Sequence, residues 1–480
     1  MFVLATAVAD AAIRGKKLIT FDFDIEGFFI NGNPLPRSHT GGRQIITRLP
    51  SNLPAPWANQ LAEVLQAHYG LKQANHVADQ NLIAYLLANG FTRCPSSPYT
   101  FNITSPTDPA DKLTVSMHVD DGDGNTTCPL LYANFKRLIE ARYGPTTFHS
   151  PSRGTCGQDM VTHPCGSVAA HYGTYIRRML NRIGMDAVPA ALSPDIAGFF
   201  DAPSDPTPLT PSAHAAFRTT MGELIYIIPG RHDCRKNIVF LLSSVDKPTA
   251  SDDAKLFHLL RYLKGSTDLG PTFSSDPAAY GPHVSIHSAS DYSHNVHTDG
   301  KGHQAFALTV GKVGAPSAPF LFHSAKEPGP SLSPCEGEYV TLSKTAQQLV
   351  HYRQFAADLG YTDQLSQPSI MLEDNDSARK LTTAPLIPSK SRHIALKEHH
   401  IRHLHAIKAI TVIHQGSHDI VPDAATKHVG PSRFLYFRSQ VFQGPRILNY
   451  PPTNSKLAAA VPFPPKTHNA SPSPSTGISA

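Results

Sequence analysis

The sequence predicts an α/β (α+β) chain built as more than one domain. Segments that alternate apolar and polar residues, the mark of a half-buried strand, take turns with segments of helical spacing from the first residues to about residue 440. A Pro/Ser-rich stretch at 187–213 breaks this pattern and reads as a linker. The chain has 480 residues, 40% of them hydrophobic. That is enough for cores in about two to four domains of the usual ~100–200 residues.

Ala, Val, Leu and Ile recur at helical spacing over 3–14 and stop at Gly15. This apolar start has no basic residue before it and lysines only after it, so it reads as an amphipathic helix rather than a signal peptide. Leu18 to Ile25 alternates and is aromatic, as a strand does. Helices are expected over 58–69 and 77–88, the second stopped by Asn89-Gly90. Lys112 to Val119 reads as a strand with Leu113, Val115, Met117 and Val119 on one face, and Asp120 to Gly124 as an acidic turn. An amphipathic helix follows over 129–142. Residues 214–265 are helical and end in the basic run Arg261-Tyr262-Leu263-Lys264-Gly265. A strand-rich unit starts near Val284, continues through 305–313 and 318–323, then alternates helix and strand. Residues 450–480, rich in Pro, Ser, Asn and Ala, are expected to be disordered. The expected domains are 1–186, a linker with helices at 187–275, 276–440, and a tail at 441–480. Trp57, the lone tryptophan, is expected in a core.

Composition excludes several classes. The six cysteines form no CxxC pair, which rules out a zinc ribbon or thioredoxin-type motif, and their scatter fits a reducing compartment. No run of about 20 apolar residues exists, so no membrane span is expected; the expected location is the cytoplasm, with the nucleus as the alternative. A net charge of +5 tolerates a polyanionic partner without demanding one.

Acids at strand ends are the informative feature. Asp24 ends one strand, and Asp120 with Asp121 ends another. Carboxylates on neighbouring strands can hold two divalent metals about 3.5–4 Å apart, and oxygen ligands favour magnesium. On these residues alone Asp-Asp-Gly-Asp-Gly is also good turn chemistry.

The motifs around these acids resemble those of copia-type retrotransposon Pol polyproteins. Asp24-Ile25-Glu26-Gly27-Phe28-Phe29-Ile30-Asn31-Gly32 is similar to the first palm motif of that family's reverse transcriptases, of the form DVxxAFLNG. Tyr69-Gly70-Leu71-Lys72-Gln73-Ala74 matches YGLKQA. Asn89-Gly90-Phe91 and Ser96 to Phe101 resemble NGF…SDPxLF, and His118-Val119-Asp120-Asp121 stands where the family has YVDD. Gly222 to Tyr226 resembles GSLMY, and the basic run at 261–265 is the family's RYLKG. The motifs keep family order from residue 1 to about 440.

The resemblance implies a reverse-transcriptase palm and thumb followed by an RNase H-like mixed sheet. It implies an RNA template, a DNA primer or RNA–DNA hybrid and deoxynucleoside triphosphates as partners, and Mg2+, with Mn2+ as the substitute, as cofactor. Asp24, Asp120 and Asp121 would be the polymerase acids and metal ligands, Phe29 a gate against the ribose 2′-hydroxyl, and Gln73 a nucleotide or template contact. By residue type alone Phe29 also reads as a core aromatic and Gln73 as a helix-end polar residue. In the second unit, Ser333 to Tyr339 resembles STTEAEY, Glu373 to Ala378 resembles CDNQSAI and Asp419 to Lys427 resembles DQLADIFTK. This implies Glu338, Asp374 and Asp423 as the RNase H acids and metal ligands. The oligomeric state stays open.

The pattern also departs from the family. His118 replaces Tyr, Phe28 replaces a small Ala, and the chain starts just before the first palm motif, so weakened polymerase activity is expected. The family's first RNase H strand reads YSDADW; here Ala289 aligns with the catalytic Asp and Asp291 lies two residues on. A displacement of two strand rises, roughly 6–7 Å, is too far for a metal ligand without a register change, and whether Asp291 compensates stays open. The expectation is therefore an RNase H unit that folds without cleaving, which Ala289→Asp would restore. A non-catalytic remnant that binds nucleic acid is the alternative. His399, His400, His403 and His405 cluster, and His399 with His403 has the i, i+4 spacing of a zinc pair, but the Glu of HExxH is missing, so a solvated or nucleic-acid-facing helix is preferred. Lys380, Lys390, Arg392, Lys397, Arg402 and Lys408 make a basic stretch that reads equally as phosphate contact or as a solvated face.

Overall fold

The computed structural model describes residues 1–31, 44–66, 70–315, 317–384, 394 and 399–443. Tyr69, Lys390, Arg392 and Lys397 lie outside these residues. So does the expected tail, apart from its first three residues, which end the last helix.

Helix α1 (Phe2–Ile13) buries Phe2, Leu4, Ala5, Ala7, Val8, Ala9, Ala11 and Ala12. It is not the amphipathic helix expected: a helix apolar nearly all round needs cover nearly all round. Its partners come from far along the chain. The Phe2 ring lies 4.8–4.9 Å from the rings of Phe320, Tyr352 and Phe355.

Strand β1 (Ile19–Ile25) follows, as expected. Then β2 (Ile46–Arg48) and β3 (Leu61–Glu63) pair as a separate hairpin, where a helix over 58–69 was expected. Leu61 and Leu65 are exposed there, and a short helix with no buried face does not persist in water. Trp57 is 62% exposed, not in a core. Helix α2 (Ala74–Ala88) precedes β4 (Thr92–Arg93), β5 (Thr100–Thr104), β6 (Lys112–His118) and β7 (Asp121–Thr126). Helix α3 (Pro129–Tyr143) and β8 (Thr146–His149) complete the region. The sheet runs β4-β5-β6-β7-β1-β8. Phe21, Phe23, Phe101, Leu113 and Val115 meet Leu82 and Leu86 of α2 and Phe135 and Ile139 of α3 in one core.

The acidic turn is shorter than expected. Only Val119 and Asp120 turn, with Val119 at φ +58°, and Asp121 already begins β7. Gly122 and Gly124 sit within β7, opposite Phe23 and Phe21. Their missing side chains make room for those rings: a Cβ on Gly122 would stand 2.7 Å from Phe23 Cζ. The glycines that read as turn residues are thus strand residues under aromatic rings.

Strand β10 (Val168–His171) pairs on one side with β9 (Asp159–Thr162) and on the other with the later β11 (Thr272–Phe273). Between β10 and β11 lie α4 (Gly173–Arg182), α5 (Pro211–Ile227), α6 (Arg235–Leu242) and α7 (Ala250–Lys264). The helical stretch expected over 214–265 is thus three helices. Thr249 and Asp252 form a capping box at the start of α7.

The last sheet is mixed, as expected. It comprises β12 (Ile286–Ser293), β13 (His303–Val310), β14 (Pro319–Lys326), β15 (Ser369–Glu373) and β16 (Ile410–His414). Their order is β14-β13-β12-β15-β16, antiparallel across the first three and parallel across β12, β15 and β16. Helices α8 (Pro334–Asp358), α9 (Asp376–Thr383), α10 (His400–Ala406) and α11 (Pro431–Gln443) surround it, with a short 3-10 turn at Val421–Ala425. Alternation splits the sheet between two cores. Phe306 and Leu308 join α8 and α1, while Ala305, Ala307 and Phe322 join α4–α7 and α11. All described residues fall within one contact unit, 1–446. Among them no helix is long and apolar enough to cross a membrane.

Candidate metal-binding acid sites

Two acid sets stand on two sheets. In the first, antiparallel pairing of β1 with β7 sets Asp24 directly opposite Asp121. Asp120 occupies the turn, and its carbonyl accepts from the Ile25 amide at 2.9 Å. Asp24 is exposed, and partial desolvation, followed by the charges of Asp120 and Glu26, holds its carboxyl above its ordinary value. Burial leads at Asp121, with Asp120 and Asp24 adding and His118 opposing. The Asp121 Oδ1 atom is buried without a hydrogen-bond partner. One alternation back along the same ladder, Asp22 stands opposite Asp123. The His149 Nδ1 atom lies 2.8 Å from Asp22 Oδ2, and burial pushes Asp123 up to about 6. Sequence reading passed over Asp22 and Asp123, although the Phe-Asp-Phe-Asp alternation puts Asp22 and Asp24 on one face.

Phe29 is buried, its ring 5.5 Å from that of Phe28. Gln73 precedes α2 as its N-cap and makes no side-chain capping bond.

The second set is tighter. Oxygen atoms of Asp291, Glu338 and Asp374 all lie within 4.8 Å of one another. This is the one group of its kind among the described residues, so Asp24, Asp120 and Asp121 do not converge as closely. Asp291 comes from β12, Glu338 from the second turn of α8, and Asp374 from the end of β15.

This corrects the expectation about Ala289. Parallel pairing sets Ala289 level with Leu372, so two residues on, Asp291 is level with Asp374. Strand β12 continues regularly to Ser293, and the first turn of α8 crosses it at Tyr292, whose ring fills the space beside Gly337. The acid level of the sheet is therefore that of residues 291 and 374. Ala289 lies one alternation below, in a small apolar cluster with Leu372 and Ile420.

Asp423 is buried nearby but outside the group of three. It pairs with Lys427 at 2.5 Å and Arg433 at 3.5 Å. Thr426 Oγ1 donates to Asp291 Oδ2 at 2.5 Å, and Ser417 Oγ donates to Asp374 Oδ2 at 2.6 Å. Burial raises Asp291 to about 7, with the charges of Asp423 and Asp374 adding and the Thr426 bond opposing. Burial and then Glu373 hold Glu338 far above the carboxylate range. Glu373, another acid missed from sequence, is fully buried and accepts from Ser290 Oγ and the Asn375 amide, each at 3.1 Å. His399 of the histidine cluster bonds instead to the Tyr339 hydroxyl at 3.0 Å.

The donors fit a hard divalent cation. All are carboxylate oxygens, and Glu338 Oε2 is buried without a hydrogen-bond partner. Crowded carboxylates hold protons until a cation replaces them.

No family model matches the chain. It is 26% identical over 397 residues to the retrovirus-related Pol polyprotein from transposon RE1 of Arabidopsis thaliana, covering 80% of this chain and 25% of that protein. To the Pol polyprotein from transposon RE2 of the same plant it is 27% identical over 385 residues, 78% of this chain and 25% of that protein. A third relative, the Pol polyprotein from transposon TNT 1-94 of Nicotiana tabacum, is 22% identical over 267 residues. The chain thus spans about a quarter of the length of the first two relatives. Among solved structures, a foamy viral protease-reverse transcriptase in complex with an RNA/DNA hybrid aligns with a TM-score of 0.44 and 11% identity, over 83% of this chain and 44% of that one.

Proposed function

We propose that this homologue of the retrovirus-related Pol polyproteins of transposons carries two divalent-metal sites that act on nucleic acid. One would hydrolyse the RNA strand of an RNA–DNA hybrid, and the other would extend a DNA primer on an RNA template from deoxynucleoside triphosphates. The observation that carries the reading is the convergence of Asp291, Glu338 and Asp374 from three separate elements, with a buried Glu338 oxygen lacking a partner.

Bound magnesium or manganese supplies Lewis acidity and lowers the pKa of a coordinated water. Asp291, Glu338 and Asp374 would hold it in the hydrolytic site. Thr426 fixes the Asp291 carboxylate by its hydroxyl bond. Asp423 stands beside them, its charge balanced by Lys427. In the polymerase site Asp24 and Asp120 would hold the cation, with Asp121 supporting them across the ladder. The buried ring of Phe29 favours a scaffold role over a gate. The looser set of Asp24, Asp120 and Asp121 favours a second reading for that site alone: a polymerase remnant that no longer synthesises.

The test is incubation of the purified chain with magnesium and a labelled RNA–DNA hybrid, alongside primer extension. Cleavage of the RNA strand is expected and should vanish in Glu338→Gln. Absence of cleavage with either magnesium or manganese would overturn the hydrolytic reading.

A further inference from the structure

A buried lysine outside the last sheet reaches the loop that carries two of the acid site's neighbours. Lys236 stands in α6, and its side chain is 1% exposed. Its ammonium has three protons and three partners: Asp195 Oδ2 at 2.9 Å, the Ala424 carbonyl at 3.1 Å and the Lys427 carbonyl at 2.8 Å. The counter-ion is held in turn. Asn237 Nδ2 donates to Asp195 Oδ1 at 2.6 Å, and His428 Nδ1 lies 3.3 Å from Oδ2.

The two carbonyls bracket Thr426, the residue whose hydroxyl bonds Asp291. Of the two carbonyls between them, that of Ala425 is taken from the other side, by Ser324 Oγ of β14 donating at 2.9 Å. Thr426 also receives a bond from Ser293 Oγ at 2.9 Å. The segment 424–427 is thus held from α6 and from the sheet at once, while Asp423 and Thr426 face the acids. Burying a lysine–aspartate pair is costly and rarely improves stability over apolar residues of the same size. A pair kept in such a place is better explained by the geometry it imposes.

We propose that Lys236, with Asp195 as its buried counter-ion, is a positioning residue for the hydrolytic site: it clamps the 424–427 backbone so that Thr426 orients Asp291 and Asp423 stands beside the metal-binding acids. The functional part rests on the hydrolytic reading above; the clamp itself does not.

The full chain is compared with Lys236→Met, with the double variant Lys236→Met/Asp195→Leu, which leaves no unpaired buried charge, and with Thr426→Val. Hydrogen exchange should speed up about ten-fold or more in 420–428 in both Lys236 variants, with strands 286–293 and 303–310 unchanged. In hybrid cleavage, Lys236→Met and Thr426→Val should each lower kcat about ten-fold with KM unchanged, and combining them should lower it no further. Unchanged exchange in 420–428, or losses in kcat that multiply, would overturn the proposal. If the unmodified chain cleaves no hybrid, the hydrolytic reading falls, and the exchange result still decides the clamp.

Discussion

At the scale of single residues, the acid site turns on which of two positions in one strand carries the carboxylate. Asp291 is level with Asp374 and within reach of Glu338, so Asp291→Asn should lower hybrid cleavage by about 100-fold or more. Ala289→Asp should not compensate in that background. It would put a carboxylate among Leu372 and Ile420, with a destabilisation of about 2–4 kcal/mol readable by urea denaturation. Rescue of cleavage by Ala289→Asp would return the catalytic register to residue 289. On the other sheet, Asp120→Ala should abolish whatever primer extension the chain performs, since carboxylate ligands cannot be replaced by a methyl group. Extension at the unmodified rate would remove Asp120 from the site.

At the scale of elements, β7 shows how a strand can hide. Its Gly122 and Gly124 lie under Phe23 and Phe21, so Gly124→Ala should cost about 1–3 kcal/mol through overpacking, seen as a lower denaturation midpoint with an unchanged slope. An unchanged midpoint would mean that the Phe21 ring swings away freely. The same pair explains what could be read beforehand. The strand at Lys112–His118 was legible because Leu113, Val115 and Met117 repeat at every second position and all become buried. Its partner was not, because Asp-Gly-Asp-Gly has no apolar alternation and gains its place only from rings across the ladder. Glu338 and Asp374 were legible through their motifs. The part played by Asp291 was not, since it depends on a parallel register between β12 and β15, segments far apart in the chain. Trp57 and Leu61 misled because residue type says what can be buried, not what is there to bury it.

At the scale of the whole molecule, acid stability is set in part by buried histidines that join β13 to β14 and to the loop before β13. His303 Nε2 lies 2.8 Å from Ser324 Oγ and its Nδ1 lies 3.0 Å from His297 Nε2. Burial, with His297, Lys236 and His323 nearby, depresses His303 to about 3. The unfolded chain takes up a proton near pH 6.5 that the folded chain refuses until about pH 3, so acid drains stability through that window. His303→Gln should make the loss between pH 7 and pH 5 smaller by about 1–2 kcal/mol. An identical loss in both proteins would show that His303 does not titrate on unfolding. Helix α1 has a different consequence, one set in time. During synthesis it leaves the ribosome more than 300 residues ahead of Phe320, Tyr352 and Phe355, which cover Phe2. Domain-by-domain folding behind the ribosome, the usual route for long chains, is therefore closed to this one. Helix α1 must wait, apolar and uncovered, for partners in β14 and α8 that are made long after it, which makes nascent chains of this protein natural clients for chaperones. Cutting it at 187–213 should yield two halves that stay together in solution rather than two free domains.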